Sequence, residues 1–334
     1  MTESAQEFET RGPGVEHASW TDHDIDLPGR GCTSIREAHG PRDAPTVVLL
    51  HGLAATGRLN WFTALPALSK RFRVIIVDHR GHGRGIRTRH FRLADCADDV
   101  VAVADHLGIE SFIAVGYSMG GPIAKLCWSR HHDRVRGLVL CATANHFLRP
   151  EAQGAVSAVF PGMVVAARLM PRFFLDRIID GMTRGLPAGD RRDRVRREME
   201  PSDPATVLQA ARAVIRFSSR DWATGIDVPT AVVITTQDQL VPPRRQYRMA
   251  ASIPGAKIFE VTGDHLACVR AAGQFVPALV EACEYVDAWG LRDLHAHAHA
   301  VAAGSTPISS TCSGVPAEST SASPAPSTLS SSNE

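Results

Sequence analysis

A serine stands in a short glycine-flanked sequence that favours a nucleophilic role. The residues GYSMG at 116–120 directly follow the apolar run Phe112–Val115 and directly precede a helix-like stretch. A serine hydroxyl is a weak nucleophile unless a general base lies beside it. A tight strand-to-helix turn exposes the hydroxyl, and the turn needs small flanking residues because its backbone packs closely on itself. The pattern predicts Ser118 as a nucleophile; a glycine–serine turn without a chemical role is the alternative.

A carboxylate and a histidine follow Ser118 along the chain, each after another apolar run. Asp238 follows Ala231–Ile234, and His265 follows Lys257–Val261. A histidine can take the serine proton and return it to the leaving group, while a carboxylate fixes the imidazole tautomer. Asp264 adjoins His265, but neighbouring side chains on an extended segment point apart, so Asp238 is preferred. The alternative role for Asp238 is that of a turn cap.

Backbone N–H groups near Ser118 are candidates for stabilising an oxyanion. His51-Gly52-Leu53 comes directly after the run Thr46–Leu50. The N–H groups of Leu53 and Met119 could bind the negative oxygen of a tetrahedral intermediate. Taken alone, the same residues fit a turn with an incidental histidine.

Six short apolar runs must position these residues. Continuous apolar runs suit strands buried on both faces of a mostly parallel sheet. Helix-like stretches at 97–107, 122–130 and 275–289 lie between or after them, which is typical of an α/β protein. The predicted strands are 46–50, 74–77, 112–115, 137–141, 231–234 and 257–261.

The alternation stops between about residues 145 and 222, which are too many for a simple connection between strands. This segment is predicted to be a helical cap, with helices at 155–170, 173–182, 191–199 and 205–217. The arginines of 191–197 fit either contact with an anionic substrate group or, because acids are interleaved with them, a solvated helix face.

Composition excludes several other classes of protein. The chain has 334 residues, 44% of them apolar, and a net charge of +1, which gives no electrostatic reason to bind nucleic acid. No apolar run is long enough to be an integral membrane segment. Seven scattered cysteines without a C-x-x-C pair argue against a disulfide framework and a zinc site. With no secretory signal in the polar N-terminus, these features predict a cytoplasmic protein.

Five sequence elements resemble those of the α/β-hydrolase superfamily, in particular its esterase, lipase and peroxidase-like group. They span about residues 22–291 and comprise HGLAATG (51–57), DHRGHGRG (78–85), GYSMGG (116–121), TTQDQLVPP (235–243) and GDH (263–265). The resemblance implies an eight-stranded, mostly parallel sheet flanked by helices, with a helical cap inserted after the sixth strand. It also implies Ser118 as nucleophile, Asp238 as acid, His265 as base, and Leu53 and Met119 as oxyanion donors.

Differences from other families of this fold narrow the range of expected reactions. Ser118 argues against the fold's haloalkane dehalogenases and epoxide hydrolases, which resemble the chain elsewhere but place an aspartate there. The residues HGLAATG lack the HGGPG of proline iminopeptidases and the HGGG-type loop of the hormone-sensitive-lipase group. Asp78 and His79 are expected to shape the loop beside the site rather than to take part in the chemistry.

The predicted organisation is a flexible leader (1–20), an α/β core (21–144 and 223–292), the cap (145–222) and a disordered Ser/Thr/Pro-rich tail (303–334). The predicted function is cleavage of a hydrophobic carboxylic ester through an acyl-enzyme on Ser118, with no cofactor and no metal. Acyl transfer, thioester hydrolysis and C–C bond hydrolysis use the same triad and stay open, as do a non-catalytic ligand-binding protein on this fold and the oligomeric state.

Three further candidates carry two interpretations each. His295 and His299 lie one turn apart if helical and could chelate a metal, but an accidental alternation at the start of the tail is favoured. Trp61 and Phe62 fit an acyl pocket or the core equally well. Apolar residues of the cap suggest a hydrophobic pocket or the surface that docks the cap: Val156, Val159, Phe160, Val164, Val165, Phe173, Phe174, Ile178 and Ile179.

Overall fold

A single sheet of eight strands lies at the centre of the computed structural model, which describes residues 20–148, 150–169 and 202–302. The strand order is β1-β2-β4-β3-β5-β6-β7-β8. The pairs β1–β2 and β2–β4 are antiparallel, and the remaining neighbours are parallel, so the eight-stranded, mostly parallel sheet is confirmed. The strands are β1 (Thr21–Leu27), β2 (Gly31–Ala38), β3 (Thr46–Leu50), β4 (Arg73–Val77), β5 (Phe112–Tyr117), β6 (Val135–Cys141), β7 (Thr230–Thr235) and β8 (Lys257–Val261).

Helices cover both faces of this sheet. Along β3, Val48 and Leu50 pack into one hydrophobic core while Val47 and Leu49 pack into the other. Because both faces of the central strands are buried, their sequences are apolar without alternation. The described helices are α1 (Gly57–Trp61), α2 (Leu65–Leu68), α3 (Leu93–His106), α4 (Gly120–Arg130), α5 (Pro150–Leu169), α6 (Pro204–Arg216), α7 (Pro243–Ser252), α8 (Ala267–Arg270) and α9 (Ala272–Ala302).

The first two strands were not among the apolar runs found in the sequence. β1 lies at the edge of the sheet and buries Ile25 and Leu27. Its intervening residues Asp22, Asp24 and Asp26 are exposed. One face of β1 is therefore solvated, so its sequence alternates and does not form a continuous apolar run.

In the described part of the predicted cap, two helices lie between β6 and β7. α5 begins at Pro150, before the predicted start at 155, and it packs against α6. Asp203 caps α6 by accepting a hydrogen bond from the Ala205 N–H. The helices predicted at 173–182 and 191–199 lie outside the described residues, as do 1–19 of the leader and all of the tail.

The chain divides into two compact units, Met1–Asp293 and Leu294–Glu334. The second unit is helical at residues 294–302, which include His295 and His299. Among the described residues, no helix combines the length and apolar character needed to span a bilayer.

The parallel strands bring the predicted site residues to one edge of the sheet. β3 and β5 are in register at Leu50 and Gly116, and β7 and β8 at Thr235 and Val261. Ligand and catalytic groups in open parallel sheets lie at the carboxyl ends of the strands. The loops after β3, β5, β7 and β8 therefore meet there.

Candidate active site

Ser118 occupies a sharp turn between β5 and α4. Its φ is +52°, in the left-handed region that few residues other than glycine adopt. A hydrogen bond from the Ser118 N–H to Cys141 O (2.9 Å) ties the turn to β6. A Cβ on Gly116 would lie 2.2 Å from Gly120 O, and one on Gly120 would lie 2.2 Å from Leu50 O. The two glycines are thus required by close backbone packing, which the motif indicated.

Ser118, His265 and Asp238 form a continuous hydrogen-bonded chain. His265 Nε2 lies 2.9 Å from Ser118 Oγ, and His265 Nδ1 lies 2.7 Å from Asp238 Oδ2. Because an ionised carboxylate only accepts hydrogen bonds, Nδ1 carries the proton and Nε2 faces the serine as an acceptor. This arrangement allows the imidazole to take the serine proton.

The Asp238 carboxylate is surrounded by donors. Oδ1 accepts the backbone N–H groups of Leu240 (2.9 Å) and Val241 (2.8 Å). Oδ2 accepts the Thr235 hydroxyl (2.9 Å) and is 3.4 Å from Gln246 Nε2. Since every one of these partners donates, the site suits a carboxylate and not an amide. Gln246 is fully buried on α7, and the sequence analysis did not single it out.

His265 is also held from its backbone. The Tyr117 hydroxyl donates to His265 O at 2.9 Å. Burial raises the pKa of Tyr117 far above its ordinary value, so the hydroxyl remains a donor. Tyr117 lies inside the GYSMG motif, but nothing in the sequence indicated its contact with the loop after β8.

His51 orients the peptide that carries the Leu53 N–H. Its Nε2 accepts the His79 N–H (3.0 Å), so its Nδ1 is protonated and donates to Gly52 O (2.8 Å). Burial lowers the pKa of His51 to about 4, which keeps the ring neutral. Because a peptide group is planar, holding the Gly52 carbonyl also fixes the direction of the Leu53 N–H. The alternative of an incidental histidine in this turn does not fit these contacts.

A second side chain holds the same turn. Asn60, at the C-terminal side of α1, accepts the Gly52 N–H on Oδ1 at 3.0 Å. The position of a Cβ on Gly52 would be 3.4 Å from the Ser118 Cβ, so this turn packs directly on the serine. Within the described part of the chain, the backbone N–H groups of Leu53 and Met119 have no hydrogen-bond partner. Both are therefore available to an external acceptor.

Asp78 joins the two loops beside this turn. Its carboxylate accepts the N–H groups of Gly57 (2.7 Å) and Arg84 (2.9 Å). His79, through its backbone, contacts His51 as described above. The contacts of Asp78 and His79 are thus to loop backbone and ring atoms, in agreement with a loop-shaping role.

The other candidates lie away from the chemistry. Asp264 accepts hydrogen bonds from Leu266 N–H and Arg270 (both 2.8 Å), whereas Asp238 contacts the imidazole. Trp61 is fully buried in the core, with its ring centre 6.0 Å from that of Tyr117. Of the two interpretations of Trp61, the core is the correct one.

Similar proteins were found by sequence. A family model described as alpha/beta hydrolase fold matches residues 45–272. A pimeloyl-[acyl-carrier protein] methyl ester esterase from Chromobacterium violaceum is 31% identical over 245 residues, which are 72% of this chain and 94% of that protein. A putative carbamate hydrolase RutD from Caulobacter sp. is 28% identical over 66% of this chain and 84% of its own length. The magnesium-chelatase 30 kDa subunit from Rhodobacter capsulatus is 36% identical over 135 residues, which are 40% of this chain. The chain spans only 45% of that protein's length.

Solved structures share the fold. An esterase from Thermogutta terrifontis superposes with a TM-score of 0.65 at 24% identity, over 80% of this chain and 99% of that one. An enol-lactonase from Burkholderia xenovorans LB400 gives a TM-score of 0.63 at 26% identity, over 78% of this chain and 98% of that one.

Proposed function

Because the chain belongs to the alpha/beta hydrolase fold family, we propose that it is a serine hydrolase that cleaves a carboxylic ester through an acyl-enzyme on Ser118. The observation that carries this proposal is the chain of two hydrogen bonds, 2.9 Å from Ser118 to His265 and 2.7 Å from His265 to Asp238. The esterase from Chromobacterium violaceum, which this chain matches over most of its length, supports ester cleavage.

The proposed reaction begins with attack of Ser118 Oγ on the ester carbonyl. His265 Nε2 takes the hydroxyl proton, and the buried Asp238 carboxylate stabilises the resulting imidazolium. The tetrahedral oxyanion is bound by the N–H groups of Leu53 and Met119. His265 then gives its proton to the leaving alcohol, which leaves the acyl group on Ser118.

Water completes the cycle in a second half-reaction. His265 takes a proton from the water as it attacks the acyl carbonyl, and the same two N–H groups bind the second oxyanion. The proton returns to Ser118 Oγ as the bond to the acyl carbon breaks. The acid product departs, and no cofactor or metal takes part in the proposed cycle.

An apolar acyl group is the proposed specificity. We assign the residues between β6 and β7, 145–222, to a cap over the site. Its described helix α5 exposes the apolar side chains of Val159, Met163 and Val165 and buries Phe160. Exposed apolar side chains on a cap favour contact with an apolar ligand.

A carbamate is a second candidate substrate. The relative from Caulobacter sp. is named a putative carbamate hydrolase and matches this chain over 84% of its own length. A carbamate carbonyl is attacked in the same manner as an ester carbonyl, so one set of residues serves both.

Initial rates on p-nitrophenyl esters from acetate to palmitate, and on a p-nitrophenyl carbamate, test the proposal. We expect Ser118→Ala to lower kcat by about 10⁴-fold or more, with a normal melting curve. Ser69→Ala is the matched control, since Ser69 and Ser118 are both 9% exposed; it should retain full activity. A folded wild type that hydrolyses none of these substrates, or Ser118→Ala with wild-type rates, would overturn the proposal.

A further inference from the structure

A fully buried lysine lies on the helix that follows the serine. Lys125, on α4, has no exposed surface. Its Nζ donates to Ala144 O (3.1 Å), Asn145 Oδ1 (3.0 Å) and Ser219 Oγ (2.8 Å). An ammonium has three N–H groups and no acceptor site, so these three bonds use all of its donors. The geometry is that of a charged lysine whose donors are all satisfied.

No carboxylate balances this charge within the described residues. Besides the three oxygens, Nζ lies 3.7 Å from Met249 Sδ and 5.3 Å from the ring centre of Phe217. Burial without a counter-ion lowers the pKa of Lys125 to about 7. An apolar side chain of similar volume avoids this desolvation, so packing alone does not account for a lysine here.

The three acceptors lie at the two ends of the segment between β6 and β7. Asn145 is the first residue of the predicted cap, and Ser219 is three residues from its end. These two residues also contact each other, through Ser219 N–H to Asn145 O and Ser219 Oγ to Asn145 Oδ1, both 2.9 Å. The neighbouring residues His146 and Ser218 form a β-bridge. Entry and exit of the segment are thus side by side, and Lys125 binds both.

We propose that Lys125 is a positioning residue that clamps both ends of the cap onto the helix beginning just after Ser118, and so sets the cap's position over the reaction centre. As far as it concerns activity, this inference rests on the proposed function. Substrates long enough to touch the cap depend on the clamp, whereas an acetyl ester, confined to the serine, does not.

Protonation of Lys125 controls the clamp. A neutral amine has two N–H groups, so it cannot donate to three oxygens, and one bond is lost when the proton leaves. The charged groups that face this region are His146 and Arg220 from the inserted segment and Arg245 and Arg248 from α7. Burial and the neighbouring arginines lower the pKa of His146, which disfavours a second titrating positive charge beside Lys125. The clamp therefore loosens as the pH rises through about 7.

Kinetics of Lys125→Met test the clamp, with Lys257→Met as the matched control because Lys257 is exposed on β8. We expect Lys125→Met to raise KM for p-nitrophenyl laurate by about fivefold or more at about pH 6, and to leave kcat/KM for p-nitrophenyl acetate within about twofold. In the wild type, the KM for the laurate ester divided by the KM for the acetate ester should rise between about pH 6 and pH 8. In Lys125→Met this ratio should not change with pH. Equal changes for the two esters, or none, would refute a positioning role.

Hydrogen exchange of the wild type is a second test of the clamp, and it requires neither a substrate nor a variant that folds. We expect peptides that contain residues 145–148 and 217–220 to open about tenfold more often at pH 8 than at pH 6, after correction for intrinsic exchange rates, while β5 is unchanged. If exchange changes as expected but no ester is cleaved, the clamp stands and the proposed function fails. Uniform opening across these peptides and β5, or none, overturns the clamp.

Discussion

Replacing Asp238 by asparagine removes one charge from the proposed triad with almost no change in shape. The carboxylate accepts the His265 Nδ1–H at 2.7 Å and is 3% exposed. An amide at this place must direct its NH2 group either at the imidazole or at the N–H groups of Leu240 and Val241. Both choices set a donor against a donor, or force His265 to move its proton to Nε2, where it no longer accepts from Ser118.

The expected loss follows from the distance between the charges. With bonded atoms 2.7 Å apart, the centres of the imidazolium and the carboxylate are about 4 Å apart, and an effective dielectric constant of about 20 gives about 4 kcal/mol. Loss of that energy from the transition state corresponds to about 10³-fold in kcat. The wrong tautomer adds about another factor of ten, so we expect a loss of about 10³- to 10⁴-fold.

The assay is kcat on a p-nitrophenyl ester together with the thermal midpoint of each variant. Asp264→Asn is the matched control because Asp264 adjoins His265 yet contacts Arg270 and the Leu266 N–H instead. Its kcat should stay within about threefold, since exposed ion pairs contribute little. A loss below about tenfold in folded Asp238→Asn, or an equal loss in Asp264→Asn, would contradict the proposed role of Asp238.

Two further predictions concern the surroundings of the serine. Asn60→Ala leaves the buried Gly52 N–H without its acceptor. Initial rates should show kcat lowered by about 10- to 100-fold, which is less than the effect of removing a whole oxyanion donor. An unchanged kcat would exclude Asn60 from positioning that turn. Burial lowers the pKa of His82 to about 3, so the unfolded chain binds a proton that the folded chain does not, and stability is lost as the pH falls below about 6.5. His82→Phe should therefore lose about 2 kcal/mol less than the wild type between pH 7 and pH 5 in urea unfolding, and parallel losses would contradict this.

The predicted chemistry came from short motifs read in their structural context. Ser118 was found because glycines flank it, and the close approaches of Gly116 and Gly120 to backbone oxygens explain why those glycines are needed. The order of Ser118, Asp238 and His265 after three apolar runs predicted their meeting, since the carboxyl ends of parallel strands share one edge. Their hydrogen bonds agree with that prediction of proximity, and their roles remain proposals.

Other parts of the molecule carried no local signal. β1 and β2 each have a polar or partly solvated face, so a search for continuous apolar runs passes over them. Gln246 and Lys125 are polar residues on helices, where sequence patterns place polar residues in solvent. Both are buried. Lys125 contacts Ser219, 94 residues further along the chain, and Gln246 contacts the strand end and turn at Thr235 and Val241, so only the folded structure reveals these contacts.

The edge strand β1 has a consequence for how the protein behaves at high concentration. An edge strand presents unpaired backbone groups with which another chain can pair. Asp22, Asp24 and Asp26 alternate with the buried side chains of β1, and Asp22 and Asp24 form ion pairs with Arg36 and Arg84. Charged side chains along an edge strand must give up their hydration when a second strand docks there, which works against intermolecular β-pairing and aggregation.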